Sequence, residues 1–105
     1  MVTHVDSNTF EREVVKTSGI VFADFWAAWC GPCKRYGPLF EEFAEENKGK
    51  AKFVKIDVEA AGDIASEFGV QSIPTTIVFK DGEPVAREVG ILSKDMLASI
   101  LKAHH

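Results

Sequence analysis

The chain has 105 residues, enough for one domain with its own core and too few for two. Apolar residues make up 46% of it, the composition of a globular protein. A net charge of −4, with both signs spread along the chain, argues against nucleic acid or an anionic membrane surface as partner.

The predicted elements follow one another without repeats, low-complexity runs or an internal linker. The start, "MVTHVDSNTF", lacks a basic segment followed by an apolar run, so no secretory leader is expected. Residues 2–5 alternate apolar and polar and predict a short strand. Residues 6–19 predict a helix, with Asp6 or Ser7 as cap, Phe10 and Val14 on one face, and Gly19 as its end. "IVFADFWA" (20–27) is a nearly unbroken apolar run of strand formers, which predicts a central strand buried on both faces. Asp24 is the odd residue within it. As a residue it reads either as a solvated charge at a strand end or as a buried acid.

"CKRYGPLFEEFAEENKGK" (33–50) predicts an amphipathic helix, with Leu39, Phe40 and Phe43 opposite a run of glutamates. Pro38 removes a backbone bond inside it. "AKFVKIDV" (51–58) alternates as a strand, where Lys55 alone reads as an edge charge, and residues 61–69 predict a short helix. Strands over 75–80 and 84–90 flank "DGE", a hairpin signal. Residues 92–103 form a final amphipathic helix capped by Ser93. His104 and His105 are left out of the fold reading as native residues or tag remnants. The order β-α-β-α-β-α-β-β-α implies parallel strands covered by helices on both faces, with the late hairpin adding antiparallel edge strands. Ligands of such sheets sit beyond the carboxyl ends of the strands, where strand 20–27 hands over to Trp29 and Cys30.

Both cysteines of the chain stand in "WCGPCK" (29–34). A structural staple is placed to close a long loop, and this pair closes almost none. Loop entropy would give it about 2 kcal/mol. A lone C-x-x-C is half a zinc site, and the further candidate ligands, His4 and the tail histidines, do not complete one in the sequence. Two adjacent thiols suit a bond that is made and broken. At the turn from strand into helix, unpaired N–H groups and the helix dipole favour a thiolate on Cys30, the form that attacks disulfides.

Taken together, "FADFWAAWCGPCK", then a strand, then "GVQSIPTTIVFKDG" and "VGILSK" closely resemble the thioredoxin family, in order and over essentially the whole chain. The resemblance implies an α/β thioredoxin fold, a mixed five-stranded sheet flanked by four helices, as a single domain over 1–105. It implies a protein-disulfide reductase re-reduced by thioredoxin reductase, acting on disulfide-containing proteins, monomeric and cytoplasmic, with no cofactor and no metal. It makes Cys30 the exposed attacking thiol and Cys33 the buried resolving one. Gly31 and Pro32 between them are associated with reducing members, since oxidase and isomerase relatives tend to carry a histidine there. Ile73–Pro74 becomes the cis-proline loop, offering its backbone to an extended substrate, with Trp29, Gly90 and Ile91 completing a flat apolar rim. Trp26 is implied to pack. Asp24 becomes a buried general base for Cys33, and Lys55 its partner.

Three residues depart from the family pattern. Tyr36 and Gly37 stand where relatives usually carry aliphatic residues and alanine, and Ile91 replaces a small residue. A disulfide oxidase or isomerase, and a binding module that uses the same rim without redox chemistry, are the competing readings.

Overall fold

The computed structural model of the chain describes residues 2–105. Strands β1 (Thr3–Val5), β2 (Ile20–Trp26), β3 (Lys52–Asp57), β4 (Thr75–Lys80) and β5 (Glu83–Val89) form one sheet in the order β1-β3-β2-β4-β5. β1, β3 and β2 run parallel, and β4 and β5 run antiparallel. The helices are α1 (Gly31–Glu46), α2 (Gly62–Glu67), α3 (Lys94–His104) and a π-helical segment, Glu11–Val15. This is the mixed five-stranded sheet flanked by four helices that the resemblance implies.

The central strand is the one the apolar run announced. Every residue of β2 from Ile20 to Phe25 is buried, because alternate side chains feed two different cores. Val21, Ala23 and Phe25 join Val14, Ile56, Ile64 and Phe79 on one face. Ile20 and Phe22 join Phe40, Phe43, Phe53, Val78 and Leu97 on the other, beneath α1 and α3. Phe22 and Phe53, direct neighbours across β2 and β3, stack with centroids 5.2 Å apart.

Several boundaries differ from the sequence reading. The helix expected over 6–19 is a capped turn followed by the short π segment. Asp6 Oδ1 accepts from the N–H groups of Asn8 and Thr9, and Lys16 N–H reaches back to the Glu11 carbonyl at 2.8 Å. The Glu13 carbonyl, which a continuing α-helix would use, accepts instead from Lys52 Nζ and Thr17 Oγ1. Thr17 is a local partner, and Lys52 comes from β3, outside the local pattern. The hairpin turn is the two residues Asp81 and Gly82, both at positive φ, and Glu83 already belongs to β5. Of the hairpin strands only β5 is an edge; β4 lies inside the sheet. α1 begins at Gly31, two residues before the expected start, and Pro38 sits within it without ending it. α3 takes Ser93 as its cap, with Oγ accepting from Met96 N–H at 3.1 Å, and runs on to His104.

Candidate active site at the start of helix α1

β2 ends at Trp26, and four residues later the chain enters α1. Cys30 is the cap of that helix: its backbone is extended, and its Sγ accepts from the Cys33 N–H at 3.2 Å. Pro32 lies in the first turn, where its missing N–H would have no partner in any case. Cys30 and Cys33 are joined by a disulfide, with Cα atoms 5.3 Å apart. Gly31 and Pro32 are exposed above it.

The expectation of one exposed and one buried cysteine concerns the reduced protein; in the bonded pair both are buried. Cys30 is 5% exposed and Cys33 is 3% exposed. In the bonded pair each sulfur covers the other, and Ala27, Trp26, Val58 and Ile73 pack around them. The Cys30 Sγ also lies 3.7 Å from the Ile73 carbonyl oxygen.

Ile73–Pro74 is cis and sits at the head of β4. Its carbonyl neighbourhood is tied to the segment after β5, since Gly90 N–H donates to the Pro74 carbonyl at 2.8 Å. Gly90 has φ +97, a conformation that favours glycine, so the chain turns there and sets Ile91 beside the loop. Trp29 is 67% exposed and Ile91 is exposed, whereas Ile73 and Gly90 are half-buried and Pro74 is buried. Val89, paired in register with Thr75 and 62% exposed, belongs to the same edge. The sequence reading missed it, although a valine before "GI" in an edge strand was the available signal. Trp26 is half-buried, with Lys55 Nζ 4.6 Å from its ring centroid.

Asp24 lies on β2, in register with Lys55 and Thr76, and is 0% exposed. Lys55 is its direct neighbour on β3, and Lys55 Nζ stands 4.0 Å from Asp24 Oδ2. Among the described residues neither carboxylate oxygen accepts a hydrogen bond. Burial therefore dominates: it raises the Asp24 pKa to about 7, and the Lys55 charge offsets this only in part. Thr76, the neighbour on β4, pairs with the Tyr36 hydroxyl at 2.8 Å. Burial pushes the Tyr36 phenol above its ordinary value, so it stays neutral. The sequence reading singled out Tyr36 as a departure without foreseeing this contact.

The arrangement is a disulfide-bonded cysteine pair at a helix N-terminus, and the strand that leads into it carries a buried carboxyl that can hold a proton near neutral pH. No group of three or more His, Cys, Asp or Glu side chains among the described residues is placed to hold a metal ion. No helix among them is long and apolar enough to cross a membrane.

Comparison with known proteins agrees with this geometry. A family model described as Thioredoxin matches residues 1–103. A thioredoxin of Staphylococcus haemolyticus is 46% identical over 103 residues, which covers 98% of this chain and 97% of that protein. A Staphylococcus aureus thioredoxin is 49% identical with the same coverage, and one from Pseudomonas aeruginosa is 42% identical, covering 98% and 95%.

Proposed function

Because the chain belongs to the thioredoxin family and is a dithiol–disulfide oxidoreductase built on Cys30 and Cys33, we propose the following division of labour among its residues. Cys30, as thiolate, attacks one sulfur of a substrate disulfide. A mixed disulfide forms and the other substrate sulfur leaves as a thiolate. Cys33 gives its proton to Asp24 and attacks Cys30 Sγ, which releases the second substrate thiolate and leaves the Cys30–Cys33 bond. Two electrons pass from the pair to the substrate.

The observation that carries this reading is the Cys30–Cys33 bond across the first turn of α1, with the Cys33 N–H directed at the Cys30 sulfur. The same N–H is available to a Cys30 thiolate. A separation of three residues keeps the second thiol at high effective concentration. A carboxyl with a pKa of about 7 is matched to taking a thiol proton near neutral pH. Lys55 moderates that carboxyl. The backbone at Ile73 receives an extended substrate segment by adding one strand's worth of pairing. Trp29, Gly31, Pro32, Pro74, Gly90 and Ile91 form the surface around it.

The chain acts as one domain over 1–105 and as a monomer in the cytoplasm. Its partners are disulfide-containing proteins and a thioredoxin reductase that returns the pair to the dithiol. The test is reduction of insulin disulfides with NADPH and a thioredoxin reductase. Turnover is expected, with loss of activity in Cys30→Ser. Cys33→Ser is expected to accumulate a mixed disulfide, visible by mass spectrometry, because attack proceeds and resolution cannot. Normal turnover by Cys33→Ser would overturn the two-step scheme.

A further inference from the structure

Cys33, Tyr36 and Gly37 lie on one face of α1, since residues three and four apart are neighbours on a helix, and all three are buried. Beneath them the register aligns His4, Lys55, Asp24, Thr76 and Glu88 in one row across β1, β3, β2, β4 and β5. Neighbours in such a row share a face, with Cβ atoms about 4.5–5.5 Å apart. The ends of the row, His4 and Glu88, are exposed, while Asp24 and Thr76 are buried. The Thr76 hydroxyl thus comes within reach of the Asp24 carboxylate by one rotation about its Cα–Cβ bond. That contact is not made. Thr76 Oγ1 is held by the Tyr36 hydroxyl at 2.8 Å, and both carboxylate oxygens lack a hydrogen bond among the described residues.

We propose that Tyr36 is a positioning residue for disulfide exchange: by holding the Thr76 hydroxyl it keeps that donor away from Asp24 and so preserves the carboxyl's affinity for a proton. The proposal rests on the reading of Asp24 as the base for Cys33. Turning Thr76 Oγ1 toward Asp24 would leave the buried phenol without a partner, and burying an unpaired hydroxyl is unfavourable. A hydrogen bond donated to the ionised carboxylate would favour the charged form and make it a weaker base. The titratable and polar groups beside Asp24 are Lys55 from β3, Thr76 from β4 and, from α1, the Tyr36 phenol, which feels the Asp24 charge; on β1, His4 lies beyond Lys55 in the row. Tyr36 remains a neutral hydroxyl because burial disfavours its phenolate.

The test is a carbon-13 titration of the Asp24 carboxyl in the oxidised protein, for the parent, Tyr36→Phe, Tyr36→Leu and the double variant Tyr36→Phe/Thr76→Val. Both single variants free the same hydroxyl, so either one that folds is informative. The midpoint is expected to fall by about one pH unit in the single variants and to return to the parent value in the double variant. An unmoved midpoint in the single variants overturns the proposal. So does a double variant that stays as low as Tyr36→Phe, because the shift would then not come from Thr76. Release of substrate from the mixed disulfide at pH 7, measured in the same proteins, is expected to slow severalfold in Tyr36→Phe and to recover in the double variant. A fallen midpoint with unchanged release would leave Tyr36 in control of Asp24 while removing Asp24 from the resolving step.

Discussion

A carboxyl inside an apolar strand should weaken the fold at neutral pH, and Asp24 allows this to be measured. Its folded pKa, about 7, lies above the ordinary 3.8 because burial disfavours the charge. A raised carboxyl pKa contributes stability that is fully present below the unfolded value and is lost as pH rises through the folded one. The difference corresponds to at most about 4 kcal/mol at pH well above 7. Asp24→Asn removes this titration. Relative to the parent, the variant should gain stability steadily between pH 4 and 7 and level off beyond. The buried amide sets only a pH-independent offset. Urea melts at pH 4.5, 6 and 8 check it, and a difference constant across that range would mean that Asp24 does not titrate in this window. Asp24 was legible in the sequence because a carboxylate contradicts the run around it. Lys55 was legible as its partner only through the family resemblance, since an alternating strand by itself gives no sign of which neighbour it will lie beside. The Tyr36–Thr76 pair joins residues 40 apart, and no local pattern encodes it. The burial of Cys30 in the bonded pair has no local signal, because Val58 and Ile73, far along the chain, help to cover it.

Elements were legible where the periodicity is internal, and less so where tertiary partners decide. β2, α1 and α3 follow from their own apolar spacing and caps. The segment after β1 does not, because Lys52 from β3 takes the Glu13 carbonyl and Gly82 packs against the segment's end. Gly82 sits at φ +85, and a Cβ there would come 2.3 Å from the Val15 carbonyl oxygen. Gly82→Ala is therefore expected to destabilise the protein by about 1–3 kcal/mol, read as a lowered urea midpoint. Gly37 is the opposite case. It has an ordinary helical backbone, and alanine improves helix propensity by about 1 kcal/mol. The added Cβ would meet only Lys55 Nζ, at 3.3 Å, the far end of a flexible side chain that can shift by a few tenths of an ångström. Gly37→Ala should thus stabilise the fold by somewhat less than 1 kcal/mol. A loss of stability would show that Lys55, held between the Trp26 ring and Asp24, cannot yield.

At the scale of the whole molecule, a redox carrier must survive in both forms, and the division of its cores explains how. The two large apolar clusters lie on opposite faces of the sheet, and neither contains a cysteine. The cysteines belong to a third, small cluster with Ala27 at the carboxyl end of β2. Breaking the Cys30–Cys33 bond therefore removes no contact between the sheet and the helices that cover it. The entropic contribution of the bond is also small, since it spans a sequence separation of only three. Chain-entropy arguments put such a ring at about 2 kcal/mol. Reduction has a compensating gain, because a Cys30 thiolate would keep the Cys33 N–H and sit at the positive end of α1. Full reduction with dithiothreitol is accordingly expected to lower the unfolding free energy by no more than about 2 kcal/mol and to leave a single cooperative urea transition. Its slope with denaturant should be unchanged, because that slope follows the surface exposed on unfolding and both forms bury the same two cores. A reduced protein that lost its fold in buffer, or unfolded in two steps, would show that the disulfide holds the sheet and its helices together. The pair could then not be opened in every catalytic cycle without opening the molecule.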